Sequence, residues 1–335
     1  MSGSASPPTT PALIVTEPGD GRVLQVQQRR VPGPGPDELL VEVAASGVNF
    51  VEVYQRQGVY PTATPFVLGG EGAGRVAALG PGVAGFAVGD QVAWASAPGS
   101  HAGFVIVAAD KAVPVPAGLD PELAAAVMLQ GMTAHYLVNS TYPVQPGDTV
   151  LVHAAAGGVG QLLIQLAKAH GARVIGTVST EAKAAKARAL GADVVIRYSD
   201  FDDAHALAGA IRDANGGHGV AVAYDGVGQA TFEASLAALA PRGMGVLFGA
   251  ASGQVPPFDL QRLNQLGGLF VTRPSLAHYT ATRNELLWRG RDVLAAVADG
   301  GLTVEIGGRY QLAEAARAYD DLENRRTTGK LILTR

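Results

Sequence analysis

The chain contains no cysteine. No disulfide framework can form, and thiolate metal sites and cysteine nucleophiles are excluded with it. A surplus of positive charge is missing as well: 25 Lys and Arg stand against 29 Asp and Glu, a formal net charge of −4. The basic residues are scattered rather than gathered into the patch that phosphate neutralisation requires, so no nucleic-acid partner is expected. Nor is there an apolar run long enough to span a bilayer. The most apolar window, 123–138, is broken by Gln130 and His135. The opening MSGSASPPTTP lacks the apolar stretch of a signal peptide, and residues 1–11 read as a short disordered tail. A cytoplasmic protein without a membrane partner is the default expectation.

What is present is length and pattern. With 335 residues, 47% of them hydrophobic, the chain can bury a large core and is expected to form two domains. Residues 12–127 read as β-rich, with strands expected at 12–16, 39–47, 72–79, 91–95 and 103–108 between Gly/Pro turn clusters. The pattern changes at Asp120-Pro121-Glu122, a helix start with a cap, a proline and an acid in the first turn. A second helix is expected over 133–140. From 150 to 271 six strands alternate with helices, the order of a doubly wound parallel sheet. The two helices (282–299 and 312–323) and the strand (330–334) that follow are too few to form a domain. The expectation is therefore a discontinuous catalytic domain of 12–127 and 272–335 around a nucleotide-binding domain of 128–271.

The richest motif lies at the head of the second domain. After the apolar run 150–152 comes Ala154-Ala155-Ala156-Gly157-Gly158-Val159-Gly160, then a helical pattern, then a second apolar run at 173–178. A Gly-rich turn between strand and helix turns backbone N–H groups and the helix dipole towards a pyrophosphate. Set against G-x-G-x-x-G, the first glycine is replaced by Ala155, while Gly157 and Gly160 stand. An NAD-binding strand would end in an acid for the ribose 2′-hydroxyl. Here it ends in Val178-Ser179-Thr180, with Lys183 one turn into the next helix. Small hydroxyls and a lysine suit a 2′-phosphate, so the expected cofactor is NADPH. Glu181 is the dissonant residue, and Lys183 also has a plainer reading as a solvent-facing helix lysine.

These residues, together with 48–58 (VNFVEVYQRQG), 69–74 (GGEGAG), 224–228 (YDGVG), Phe248-Gly249, Leu263-Asn264 and 272–275 (TRPS), resemble the zinc-independent quinone oxidoreductases of the medium-chain dehydrogenase/reductase superfamily, the group that includes zeta-crystallin. The resemblance covers nearly all of the chain after the tail. It implies a GroES-like β-rich catalytic domain and a Rossmann nucleotide-binding domain, an α/β fold. It further implies that Asn49 and Tyr54 form the polar pair beside the nicotinamide and the substrate carbonyl. Thr133 would meet the nicotinamide side, and Gly157, Gly158 and Val159 the pyrophosphate. Ser179, Lys183 and Tyr198 would take the 2′-phosphate and ribose. Phe248 and Gly249 would lie under the nicotinamide ribose, and Arg325 near the cofactor, with Lys330 as the alternative. Glu52, where the family often has Asp, is left outside the site. Plainer roles stay open: Tyr54, Tyr198 and Phe248 as packing aromatics, Asn49 as a turn residue.

Zinc enzymes of the superfamily typically carry His where Gly70 stands, and no ligand spacing joins the seven histidines. A metal site is not expected. The substrate expected is one that accepts hydride unaided, a quinone; the alternatives are an enone or enoyl thioester, or NADPH binding in a non-catalytic role. A homodimer is expected through the apolar edge of the nucleotide domain.

Overall fold

The computed structural model describes residues 8–324 and 326–335. The chain divides into two compact units, one built from the chain up to Leu129 and from Thr282 onward, the other from Gln130–Ala281.

The first unit opens with β1 (Thr9–Val15), β2 (Leu24–Arg30) and β3 (Glu38–Val48), followed by α1 (Phe50–Arg56). Then come β4 (Phe66–Val67), β5 (Gly72–Leu79), β6 (Gln91–Trp94), β7 (Phe104–Ala108), β8 (Val113–Pro114) and α2 (Pro121–Tyr136), within which the division falls. The tail expected over 1–11 ends sooner, because Thr9, Thr10 and Pro11 already pair with Arg30, Arg29 and Gln28 of β2. Ladder hydrogen bonds draw into the sheet a polar segment that carries no strand signal of its own. A single helix, α2, stands where two were expected.

The second unit contributes β9 (Thr149–Val152), α3 (Gly158–Ala169), β10 (Arg173–Val178), α4 (Glu181–Ala189), β11 (Val194–Arg197) and α5 (Ala204–Asp213). It continues with β12 (Val220–Asp225), α6 (Phe232–Ala238), β13 (Leu239–Leu247), α7 (Gln261–Gln265), β14 (Phe270–Thr272) and α8 (Leu276–Tyr279). Its six strands are all parallel in the order β11-β10-β9-β12-β13-β14. The order reverses between β9 and β12, the switch point at whose carboxyl ends such sheets bind ligands. Residues 272–281, expected in the catalytic domain, stay with this unit: the Tyr279 ring stacks on Tyr136 at 4.3 Å and 6°.

The chain returns to the first unit with α9 (Arg283–Ala298), β15 (Ile306–Gln311), α10 (Ala315–Glu323) and β16 (Lys330–Thr334). β16 pairs antiparallel with β3, Leu331 opposite Val48, and so completes a seven-stranded sheet. β3 alternates buried and exposed positions in its first half and is wholly buried from Ala45 onward, where α1, β5 and β16 gather. That buried half delivers the polar residues considered next.

Candidate active site

In the second unit the phosphate loop is shaped by backbone sterics. Ala154 takes a left-handed φ of 51°, an unusual conformation for a residue with a Cβ. Gly157, extended at φ −79° and ψ 168°, is the N-cap of α3. A Cβ on Gly160 would collide with the Ala154 carbonyl and the Ala155 backbone, so only glycine lets the first turn of α3 settle on the loop. A Cβ on Gly158 would fall on the Gln130 side chain. The first-turn N–H groups, those of Gly158, Val159 and Gly160, are the ones an α-helix leaves without intrahelical acceptors. Under the loop, His153 is buried and its Nδ1 lies 2.7 Å from Thr177 Oγ1, while its Nε2 has no hydrogen-bond partner among the described residues. Burial pulls the imidazole below its ordinary value, against the opposing charge of Asp225.

At the end of β10, Thr180 caps α4 by accepting the Lys183 N–H at 3.3 Å. The Ser199 hydroxyl donates to the Ser179 carbonyl at 3.3 Å, joining the end of β10 to the turn at 198–200 that holds Tyr198. Glu181 accepts from Arg188 Nη1 at 2.6 Å, two turns along α4, and this guanidinium holds its carboxyl below the usual range. Both acids near this strand end are thus paired, Glu181 within its own helix and Asp200 with Arg197 at 2.8 Å. Phe248 and Gly249 follow β13, and both donate backbone N–H groups to the Asp225 carbonyl, at 2.8 and 3.3 Å. A Cβ on Gly249 would collide with the Gly226 carbonyl. Thr133 is buried on α2. Arg325 lies outside the described residues.

In the first unit, Asn49 is the N-cap of α1 and its N–H donates to Glu52 Oε2 at 2.7 Å. Its side chain sits in a buried cluster. Lys330 Nζ donates to Asn49 Oδ1 at 2.6 Å and to Glu71 Oε2 at 2.5 Å. Asn49 Nδ2 donates to Glu71 Oε2 at 2.8 Å and to the Gly47 carbonyl at 3.3 Å. Glu71 Oε1 takes the Leu129 N–H at 2.6 Å. Tyr54, on the half-buried side of α1, meets the Tyr60 ring edge-on with centroids 5.5 Å apart.

Two charged groups of this unit have contacts that the sequence reading did not give them. Glu52 is fully buried, accepting the Tyr319 hydroxyl at 2.8 Å and lying 3.6 Å from His101 Nε2. Burial pushes its carboxyl up, but the nearby His101 imidazole and hydrogen bonds from Tyr319 and the Asn49 N–H outweigh this, and the net shift is downward. Lys330, considered as an alternative near the cofactor, bonds Asn49 and Glu71 in the buried cluster. The one signal for either residue was the company they keep, Glu52 three residues after a capping Asn and Lys330 at the start of an apolar strand.

The donor set does not suit zinc. Glu71, beside the position where related enzymes place a ligand, already has its charge met by an ammonium and its oxygens taken by Asn49 and the Leu129 N–H. Among the described residues no three His, Cys, Asp or Glu side chains stand close enough to share an ion.

Comparison with known proteins places this geometry in a family. The family described as "Zinc-binding dehydrogenase" matches residues 158–284, and "Alcohol dehydrogenase GroES-like domain" matches 35–117. A quinone oxidoreductase of Pseudomonas aeruginosa is 44% identical over 94% of this chain and 96% of its own. A 2-haloacrylate reductase of a Burkholderia species is 40% identical over 96% of this chain and 98% of its own. A mycobacterial protein solved in complex with NADPH is 50% identical with a TM-score of 0.94, over 97% of this chain and 100% of that one. With its GroES-like and Rossmann units, the chain belongs to the quinone oxidoreductase family of the medium-chain dehydrogenase/reductase superfamily.

Proposed function

We propose that the protein is an NADPH-dependent quinone reductase that passes hydride directly to its acceptor without metal or flavin. The observation that carries the cofactor is the loop opening α3 beside a strand end whose helix-opening acid, Glu181, is bound to Arg188. The glycine cradle fits a pyrophosphate, with Gly157, Gly158 and Val159 holding it. Ser179, Lys183 and Tyr198 fit a 2′-phosphate and ribose. Thr133, Phe248 and Gly249 are assigned to the nicotinamide half, and Arg325 stays assigned to the cofactor by resemblance alone. The similar mycobacterial protein was solved with NADPH, which supports the reading.

NADPH supplies the hydride when bound. The chain's own residues then have one electrostatic task, to receive the oxyanion that forms on the acceptor. Tyr54 donates its hydroxyl and Asn49 an amide N–H, and water delivers the proton. Quinones suit such a site because reduction restores aromaticity and leaves a weakly basic oxyanion. Flavin is not called for, since the chain carries one dinucleotide loop.

The similarity to a 2-haloacrylate reductase favours a second reading, reduction of an activated alkene or enoyl thioester. The test is kcat/KM with NADPH for small quinones against enones, 2-haloacrylates and crotonyl thioesters. Quinone preference is expected; alkene preference moves the protein to the second reading, and no oxidation of NADPH with any of them leaves a non-catalytic binding role.

The same proposal includes a cytoplasmic homodimer joined along β14, with no nucleic-acid partner. β14 is the sheet edge, and Phe270 and Val271 on it are 58% and 38% exposed, an apolar edge that pairing would cover. No helix of the described residues is long and apolar enough to cross a membrane.

A further inference from the structure

Lys330 is 1% exposed and Glu71 fully buried, an ion pair sealed inside the first unit. A buried pair is weak evidence for stability, since apolar residues of like volume often do as well. Its geometry points to another use.

An asparagine amide can be seated two ways round, and its neighbours decide which. Lys330 has only protons to give, so it can face only Oδ1; Glu71 as a carboxylate can only accept, so it must face Nδ2. The charges therefore fix Asn49 in one orientation. Of the two Nδ2 protons, one is bound to Glu71 at 2.8 Å and the other reaches the Gly47 carbonyl at 3.3 Å, near the long limit of a hydrogen bond. This second proton is weakly held. The ammonium on Oδ1, 2.6 Å away, and the carboxylate on Nδ2 pull on the amide in opposite senses, so the pair sets the direction of that proton rather than its strength. The frame around it is rigid. A Cβ on Gly47 would collide with Glu71 and with the Lys330 stem, and the Leu129 N–H ties Glu71 to α2.

We infer that Lys330 and Glu71 are positioning residues: the neutral pair fixes Asn49 in one orientation, with one amide proton aimed as an oxyanion donor. The inference rests on the reductase reading above.

The test is the variant Lys330→Met/Glu71→Gln, which removes both charges together and leaves none unpaired. With the acceptor that the unaltered protein reduces best, kcat is expected to fall about 10-fold to 100-fold, while the NADPH Kd, titrated by fluorescence, stays within about twofold. Asn49→Ala should cost a similar factor in the unaltered protein and almost nothing more in the double variant, since the three residues act as a unit. A kcat within about twofold of the unaltered protein, a parallel loss of NADPH affinity, or losses that multiply would overturn the inference. A double variant that does not fold is replaced by Lys330→Gln/Glu71→Gln, with the same readouts and outcomes. An unaltered protein that reduces neither quinones nor alkenes refutes the reductase reading instead. The side-chain amide of Asn49 then decides: its nitrogen-15 resonance should move in the double variant, and an unmoved resonance overturns the inference.

Discussion

A hydroxyl offered to a developing oxyanion matters less where water can take its place. Tyr54 is half-buried rather than sealed. Tyr54→Phe should therefore lower kcat/KM about 10-fold to 100-fold, less than the loss of a fully buried oxyanion-hole donor, and steady-state kinetics with a small quinone reads the difference. His153 makes a prediction of a different kind. Its imidazole is held below the ordinary value near 6.5 by burial, so the unfolded chain takes up a proton there before the folded one does. Its contribution to stability is complete above about pH 6.5 and is lost as pH falls towards the folded value, by at most about 1.4 kcal/mol per pH unit for one proton. Urea unfolding between about pH 7.5 and 5.5 should show that decline, and His153→Gln should flatten it; an equal slope in both proteins would rule His153 out.

At the scale of elements, α4 concentrates the cofactor question. Its first turn carries Glu181 and Lys183, and Arg188 sits near its end. Lys183→Ala should weaken NADPH more than NADH by about 1–3 kcal/mol, the scale of a charge-assisted contact. Arg188→Ala acts from the other end of the same helix: it releases Glu181, whose charge then opposes a 2′-phosphate, and should shift the preference towards NADH by less than about 1 kcal/mol, since the pair is exposed. Fluorescence titration of both cofactors checks the two together, and a loss shared equally by NADPH and NADH in either variant contradicts the assignment. This helix was legible in the sequence because a cap, an apolar strand before it and a glycine after it all agree. So were β10, β12 and β16, whose bounds match the apolar runs. The strand β2 was not: LQVQQRR is exposed nearly throughout and pairs only with β1, so no buried face imposes an alternation. The helix α1 was missed because Val51, Val53 and Tyr54 suit a strand. Its helix is secured by the buried Glu52 and by Arg56, which donates to Glu323 at 2.9 Å. In the site, the glycine loop was readable and the Asn49–Glu71–Lys330 cluster was not, since nothing local joins Asn49 to a lysine 281 residues away.

At the scale of the whole molecule, the exposed apolar edge of β14 predicts self-association. Light scattering at micromolar concentration should give the mass of two chains, and Phe270→Glu, placing a charge on that edge, should give one. A single-chain mass for the unaltered protein contradicts the pairing. The interrupted order of the chain has a consequence of its own. Synthesis proceeds from the amino end, and domains tend to fold as units while it does. The first unit cannot finish in that way, because β3 waits for β16 and the Glu71 carboxylate waits for the Lys330 ammonium. The Rossmann unit is one continuous stretch and has everything it needs earlier. On the ribosome the second unit is therefore made before the first receives β16, and Asn49 acquires the orientation set by Lys330 only after the whole Rossmann unit has been synthesised.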